Sequence, residues 1–251
     1  MQLRKVLFVT VFIPMLNACN GGGLGAGVSG AQDVTLPSST APISSTLPPA
    51  PTPAPTPSPT DPVSTIVGDS CENSGKTCLA LHFVSYLDSS KKPTASQEQA
   101  ANIIRGVNQV YAQCNLAFQI ENYEAVDPTQ FKLAYGAESQ NQLDQIRKTF
   151  DSPVSQLLVV TTGPWGTAVN GWSNMPGDGF YGAILEASIV NYGNGILYAH
   201  ELGHYLGLYH LSSSGNLMNP VIYTSSTSLT QAQCQSIMTT VSDYWSEMVR
   251  K

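Results

Sequence analysis

The sequence predicts an α+β domain in which a mixed, twisted sheet is backed by two helices. Short runs of alternating or continuous apolar residues, typical of strands, are separated by stretches with apolar residues at helical spacing. The order strand, helix, strand, helix, strand indicates a mixed sheet with helices packed on it. About 185 residues from Val67 onward carry this pattern, enough for one domain with its own core.

Each element is predicted from its own pattern of apolar residues. Leu79, Leu81 and Phe83 alternate with other residues, and the continuous apolar run from Leu157 to Val160 indicates a central strand buried on both faces. The predicted elements are, in order, a strand at 79–83, a helix at 96–114, a strand at 116–120, a helix at 139–150, a central strand at 157–160 and a short strand at 183–187.

Three further segments complete the predicted domain. Residues 165–179 are rich in Gly, Pro and Asn and predict a loop over the sheet edge. Asn194 or its neighbour is expected to cap a helix that carries two histidines. Thr230 opens a C-terminal helix whose apolar stripe resembles that of the first helix, so the two helices are expected to pack together.

Three of the four histidines lie within eleven residues that read HExxHxxGxxH. His200 and His204 are one helical turn apart on the same face, so both imidazoles can reach one metal ion. Gly207 can break the helix and bring His210 back as a third ligand. Three imidazoles with an open fourth position are typical of catalytic Zn²⁺, and Glu201 beside them is the candidate general base.

With these residues the chain resembles the metzincin metallopeptidases, and it is similar to matrixins and pappalysins. Met218 in the string NLMNP follows His210 by eight residues and looks like the methionine of the Met-turn. The resemblance implies a zincin domain with an active-site helix, a Met-turn and a C-terminal helix. Pro220 occupies the position where astacins and serralysins carry a tyrosine, and Tyr223 lies three residues further on, so no tyrosine ligand is assigned.

The predicted activity is endopeptidase cleavage through a zinc-bound water, with Glu201 as general base and one catalytic Zn²⁺ held by the three histidines. The resemblance implies that a peptide or protein substrate lies extended along an edge strand near residues 182–186. Two alternatives stay open. One is a surface-anchored adhesin or binding lipoprotein on a metzincin scaffold, and the other is a zinc amidase acting on cell-wall peptides.

The N-terminal segment is expected to direct export rather than to fold. Residues 1–18 combine a basic start with a short apolar run and predict a lipoprotein signal peptide, which ends before a lipidated Cys19. An ordinary secretory signal with an incidental cysteine is the alternative. Residues 19–66, rich first in Gly and then in Pro, Ser and Thr, predict a disordered linker. The catalytic domain is therefore placed at 67–251.

Cysteine usage agrees with an oxidising compartment. The chain has five cysteines, and lipidation of Cys19 would leave four that can pair. Four cysteines allow three connectivities, of which Cys71–Cys78 and Cys114–Cys234 are favoured.

Net charge and composition limit the classes of binding partner that are expected. The net charge is −6 and no Lys/Arg cluster occurs, which argues against a nucleic-acid partner. The expected partners are a peptide or protein substrate and, through the lipid anchor, a membrane, with a monomer favoured. The expected location is the bacterial outer membrane or cell surface, on its periplasmic or extracellular side.

Overall fold

One mixed sheet organises the computed structural model, which describes residues 66–151, 155–166, 169–191 and 195–251. Within these ranges its strands are β1 (Thr77–Tyr86), β2 (Leu116–Val126), β3 (Leu157–Thr162), β4 (Gly171–Ser173), β5 (Ala183–Glu186) and β6 (Val249–Arg250). Their order is β2-β1-β3-β5-β4, and β6 pairs with the start of β1. Strands β1, β2, β3 and β5 are parallel, whereas β4 and β6 are antiparallel to their neighbours. The predicted α+β class with a mixed sheet is confirmed.

Four α-helices accompany the sheet in the described residues. They are α1 (Gln97–Tyr111), α2 (Gln140–Phe150), α3 (Ile196–Tyr205) and α4 (Gln231–Tyr244). Ser96 and Thr230 each close a capping box with a glutamine three residues later, and Ser139 caps α2. These hydrogen bonds satisfy backbone N–H groups that have no partner inside the helix. The predicted starts of these three helices are confirmed.

The sheet is covered on both faces. Leu79, Leu81 and Phe83 of β1 belong to one apolar core with residues of α1, α3 and α4. Val84 and Tyr86 of the same strand pack in a second core with α2. Successive side chains of a strand point to opposite faces, so the two predicted backing helices, α1 and α2, lie on opposite sides of the sheet. Helix α3, which carries the histidine motif, shares the face of α1.

Two details differ from the sequence-based prediction. The predicted loop at 165–179 contains β4, which pairs antiparallel with β5 over Gly171–Ser173. Strand β5 is therefore an inner strand with all four residues buried, and β4 is the sheet edge near the histidine motif. In addition, the C-terminal helix does not continue to the last residues of the sequence. Helix α4 ends at Tyr244, and the strand β6 that follows pairs with β1.

Both predicted disulfides are present. Cys71 and Cys78 close a small loop before β1, and their Cα atoms are 5.4 Å apart. Cys114, which follows α1, is bonded to Cys234 on α4 with Cα atoms 5.0 Å apart. The disulfide thus joins α4 to the short 3-10 turn Ala112–Cys114 that follows α1.

The signal peptide at 1–18, the lipidation site Cys19 and the linker up to residue 65 lie outside the described residues. Among the helices that are described, none has the length and apolar character needed to cross a bilayer.

Candidate metal centre

Helix α3 presents two histidines, and the turn that follows it returns the third. The N–H of Gly207 donates to the carbonyl of His204, and the N–H of Leu208 donates to the carbonyl of Gly203, each at 2.9 Å. Gly207 has a φ of +85°, the left-handed conformation that closes a helix C-terminus in a Schellman motif. The chain reverses at this residue and carries His210 back toward α3.

The three imidazoles converge on one point. His210 Nε2 lies 3.2 Å from His204 Nε2 and 3.3 Å from His200 Nε2. Zn–N bonds of 2.0–2.1 Å at tetrahedral angles place two ligand nitrogens about 3.3 Å apart. Both distances therefore fit a single Zn²⁺ ion, and the ligand nitrogens of all three histidines lie within 4.8 Å of one another. Among the described residues these histidines form the one group of three or more His, Cys, Asp or Glu side chains close enough to share a metal.

Backbone carbonyls fix the orientation of two of these rings. His200 Nδ1 is 2.7 Å from the carbonyl oxygen of Leu217, and His204 Nδ1 is 2.7 Å from that of Leu208. A carbonyl oxygen only accepts, so both Nδ1 atoms carry the proton and both Nε2 atoms are left with a lone pair. Both lone pairs lie close to His210 Nε2, at 3.3 Å and 3.2 Å, so a cation bound between the rings would accept all three nitrogens as ligands. The histidines are therefore arranged as metal ligands, and backbone carbonyls orient two of the rings.

Burial keeps the three imidazoles neutral. It lowers the pKa of His200 to about 4; the Leu217 carbonyl raises this pKa slightly and the neighbouring His210 lowers it. Burial likewise lowers the pKa of His204 to about 4, and that of His210 is also lowered. A metal binds only the unprotonated ring. The protein therefore holds its ligands in the binding form at neutral pH.

Met218 lies against the helix that carries the histidines. It is fully buried, and a Cβ atom placed on Gly203 would meet its sulfur at 2.4 Å. The N–H of Met218 donates to Asn216 Oδ1, and its carbonyl accepts from the N–H of Leu211. The Met218 turn is thus tied to the segment that follows His210. Gly203, which the sequence-based analysis did not single out, is the residue that lets the methionine approach this closely.

Glu201 lies in the wall of the centre beside strand β4. Its residue is only 6% exposed, and burial raises the pKa of the carboxyl group to about 7, while Ser173 and Arg147 act to lower it. A carboxyl group with a pKa near neutrality is suited to accept a proton and to return it. A cation held by the histidines would favour the carboxylate form.

The sequence-based analysis missed three residues that surround Glu201. Gly171 and Ser173 belong to β4, within the predicted loop, and Arg147 belongs to α2. Arg147 is fully buried and donates to the carbonyl oxygens of Gly182 and Trp172, both at 3.0 Å. No local motif marks these residues. They become recognisable only when the sheet order brings β4 next to the histidine helix.

No metal-ligand role is assigned to three further residues of types that can bind a metal: Tyr223, Cys71 and His82. Tyr223 is 56% exposed. The thiol of Cys71 is consumed by its bond to Cys78 and is not a ligand. His82, the fourth histidine, lies on β1 with its Nε2 atom 3.3 Å from a carboxylate oxygen of Glu124.

The fold and the three converging histidines define a metzincin-like zincin domain. A reprolysin-type family model described as "Metallo-peptidase family M12" matches residues 82–250. The chain therefore belongs to metallo-peptidase family M12, and the metzincin resemblance is confirmed. A search of curated proteins found no match.

Two solved structures are similar to this chain in fold. One, described as a chaperone–substrate complex, is 12% identical with a TM-score of 0.50, covering 69% of this chain and 36% of that chain. The other is metalloproteinase-II from Bacteroides fragilis, 15% identical with a TM-score of 0.47, covering 72% of this chain and 58% of that chain. The present chain thus spans less than two thirds of either structure.

Proposed function

We propose that the chain is a zinc-dependent endopeptidase. The observation that carries this proposal is the convergence of the three imidazoles, with His210 Nε2 at zinc-ligand spacing from the Nε2 atoms of His200 and His204 and with the Glu201 carboxyl group buried on the same helix. His200, His204 and His210 would hold the ion. Zinc bound there would lower the pKa of a coordinated water and polarise the scissile carbonyl.

The chain's own residues supply the proton transfer and the positioning. Glu201 takes the proton from the attacking water and delivers it to the leaving nitrogen, a role that its burial on the histidine helix supports. The Leu217 and Leu208 carbonyls hold the rings of His200 and His204 in the tautomer that binds metal. An extended peptide would pair with the free edge of β4 by β-augmentation, because β5 lies inside the sheet.

The test compares the zinc-loaded parent with Glu201→Gln and His204→Ala on a library of unstructured peptides, with a chelator control. Glu201→Gln should retain one zinc per chain and its fold while cleavage falls by at least about 10³-fold. His204→Ala should lose zinc as well. Cleavage by Glu201→Gln at the parental rate would refute the assignment of the base.

The peptide library, together with purified cell wall as a second substrate, distinguishes the two alternative functions. If the zinc-loaded parent cleaves no peptide in the library, a binding or adhesin role on this scaffold is favoured. If it releases fragments from purified cell wall and leaves the peptide library intact, the amidase alternative is favoured. Fragments are identified by mass, and the new N-termini give the residue that follows each cut.

We further propose that Cys19 is lipidated and that residues 19–66 tether the catalytic domain to the outer membrane or cell surface. The support is the composition of this segment together with two disulfides in the folded domain, which form and persist in oxidising compartments.

A further inference from the structure

Strand β4 passes directly over the side chain of Glu201. A Cβ atom placed on Gly171 would lie 2.9 Å from both Cγ and Oε1 of Glu201, and 3.0 Å from Cδ. Distances below 3.0 Å are not found for real Cβ atoms, so a side chain at position 171 would displace the glutamate. Glycine at this position lets the edge strand close over the carboxyl group.

Two complementary polar atoms are buried on the same side of this strand. Ser173 follows Gly171 by two residues and so points to the same face of β4. Among the described residues, neither Ser173 Oγ nor Glu201 Oε2 has a hydrogen-bond partner that meets normal geometry. Gly171, the preceding residue on this face, lies directly against the Glu201 carboxyl group, so the hydroxyl lies on the side of β4 that covers the carboxyl group. Buried polar groups without partners are costly, and here a donor and an acceptor lie next to each other.

Other contacts hold β4 in this place. Arg147 Nη2 donates to the carbonyl oxygen of Trp172, the residue between Gly171 and Ser173. Ala183 and Leu185 of β5 are paired with Ser173 and Gly171. The strand is thus fixed from the α2 face and from its inner neighbour.

We propose that Ser173 is a positioning residue for the general base. Its hydroxyl donates to Oε2 of Glu201 in the working enzyme, which fixes the rotation of the carboxylate and leaves Oε1 free to accept the proton of the attacking water. Gly171 is required because it leaves room for the carboxylate beneath the strand. The inference rests on the proposed peptidase function and deepens it, since it assigns a part of the proton-transfer apparatus to the edge strand.

The experiment compares Ser173→Ala, Ser173→Thr and the control Ser236→Ala in the full zinc-loaded chain on one cleaved peptide. Ser236 is exposed on α4, so the control loses the same hydroxyl away from the centre. Ser173→Ala should lower kcat about tenfold, the usual effect of losing a hydrogen bond to a charged group, and leave KM within about twofold. Ser173→Thr, which keeps the hydroxyl, should retain kcat within about twofold of the parent, as should Ser236→Ala.

Each variant is also characterised by its zinc content, its unfolding midpoint and its infrared spectrum. The carboxyl stretching band that disappears in Glu201→Gln should shift in Ser173→Ala and stay in place in Ser173→Thr, in the metal-free protein as well. An unchanged kcat in Ser173→Ala, an effect confined to KM, or a threonine variant as slow as the alanine variant would overturn the proposal. A different result would overturn the function proposed above, namely a Glu201→Gln variant that is as active as the parent.

Discussion

Gly207 is the residue at which the histidine helix stops and the third ligand is delivered. Its φ is +85°, and a Cβ atom at this position would also lie 2.6 Å from Thr240 Oγ1 of α4. Gly207→Ala should therefore cost about 1–2 kcal/mol of unfolding free energy. It should also weaken zinc binding by at least about tenfold, because His210 would be displaced from the other ligands. Zinc titration with a competing chelator measures the second effect.

Gly177 supplies a matched control for this prediction. It has a φ of +96° and no atom within 4 Å of an added Cβ, so Gly177→Ala introduces similar backbone strain without a clash. This variant should lose a comparable amount of stability and bind zinc like the parent. Equal zinc affinities in the two variants would show that Gly207 does not position His210.

At the level of the elements, α2 fixes the edge strand through one buried side chain. Arg147 bonds two carbonyl oxygens on either side of the β4–β5 connection, and its ion-pair partner Asp144 is partly exposed. Arg147→Met would leave these carbonyls without donors, at a cost of about 3 kcal/mol. Hydrogen exchange of the β4 amides should become faster, and peptide KM should rise because the pairing edge is less ordered.

Lys148→Met is the control for this change. Lys148 is exposed on the same helix and contacts the ring of Phe180, so this variant removes one positive charge and leaves the β4 carbonyls bonded. Its β4 amides should exchange as in the parent. If Arg147→Met behaves in the same way, Arg147 does not hold the edge strand.

The elements also show what the sequence could predict. The capped helices and the inner strands were predictable because capping boxes and apolar periodicity are local signals. The histidine motif predicted the metal centre for the same reason, since its spacing within one helix and one turn fixes the geometry. Strand β4 was missed because three residues, Gly171–Ser173, carry no periodicity. Its pairing with β5, and with it the surroundings of Glu201, depends on tertiary structure alone.

Across the whole molecule, the metal centre lies inside one covalent loop. The Cys114–Cys234 bond joins two cysteines 120 positions apart, and the segment between them includes α3, all three histidines and Met218. The same bond joins the end of α1 to α4, and Thr240 of α4 lies against the turn at Gly207. The histidine ligands are therefore held between the sheet on one side and the C-terminal helix on the other. Because the three ligands come together only in the folded chain, folding and metal binding are coupled.

This coupling predicts how stability depends on pH. His200 and His204 have an ordinary pKa of 6.5 and a folded pKa of about 4, so between these values the unfolded chain binds more protons. In the chelated protein each histidine should therefore destabilise the fold as pH falls from 6.5 to 4, by about 3 kcal/mol at most. Glu201 acts in the opposite direction, because its folded pKa of about 7 exceeds the ordinary value.

Bound zinc should add a second dependence of stability on pH, because protons and the metal compete for the same Nε2 atoms. The stabilisation by zinc, measured as the difference in Tm between loaded and chelated protein, should fall most steeply as pH approaches 4, the folded pKa of His200 and His204. Chelated Glu201→Gln should lose stability more steeply with acid than the chelated parent, since the opposing contribution is removed. A zinc increment that remains undiminished below pH 4 would contradict the assignment of the three histidines as ligands, because protonation of the rings would then leave the occupied site intact.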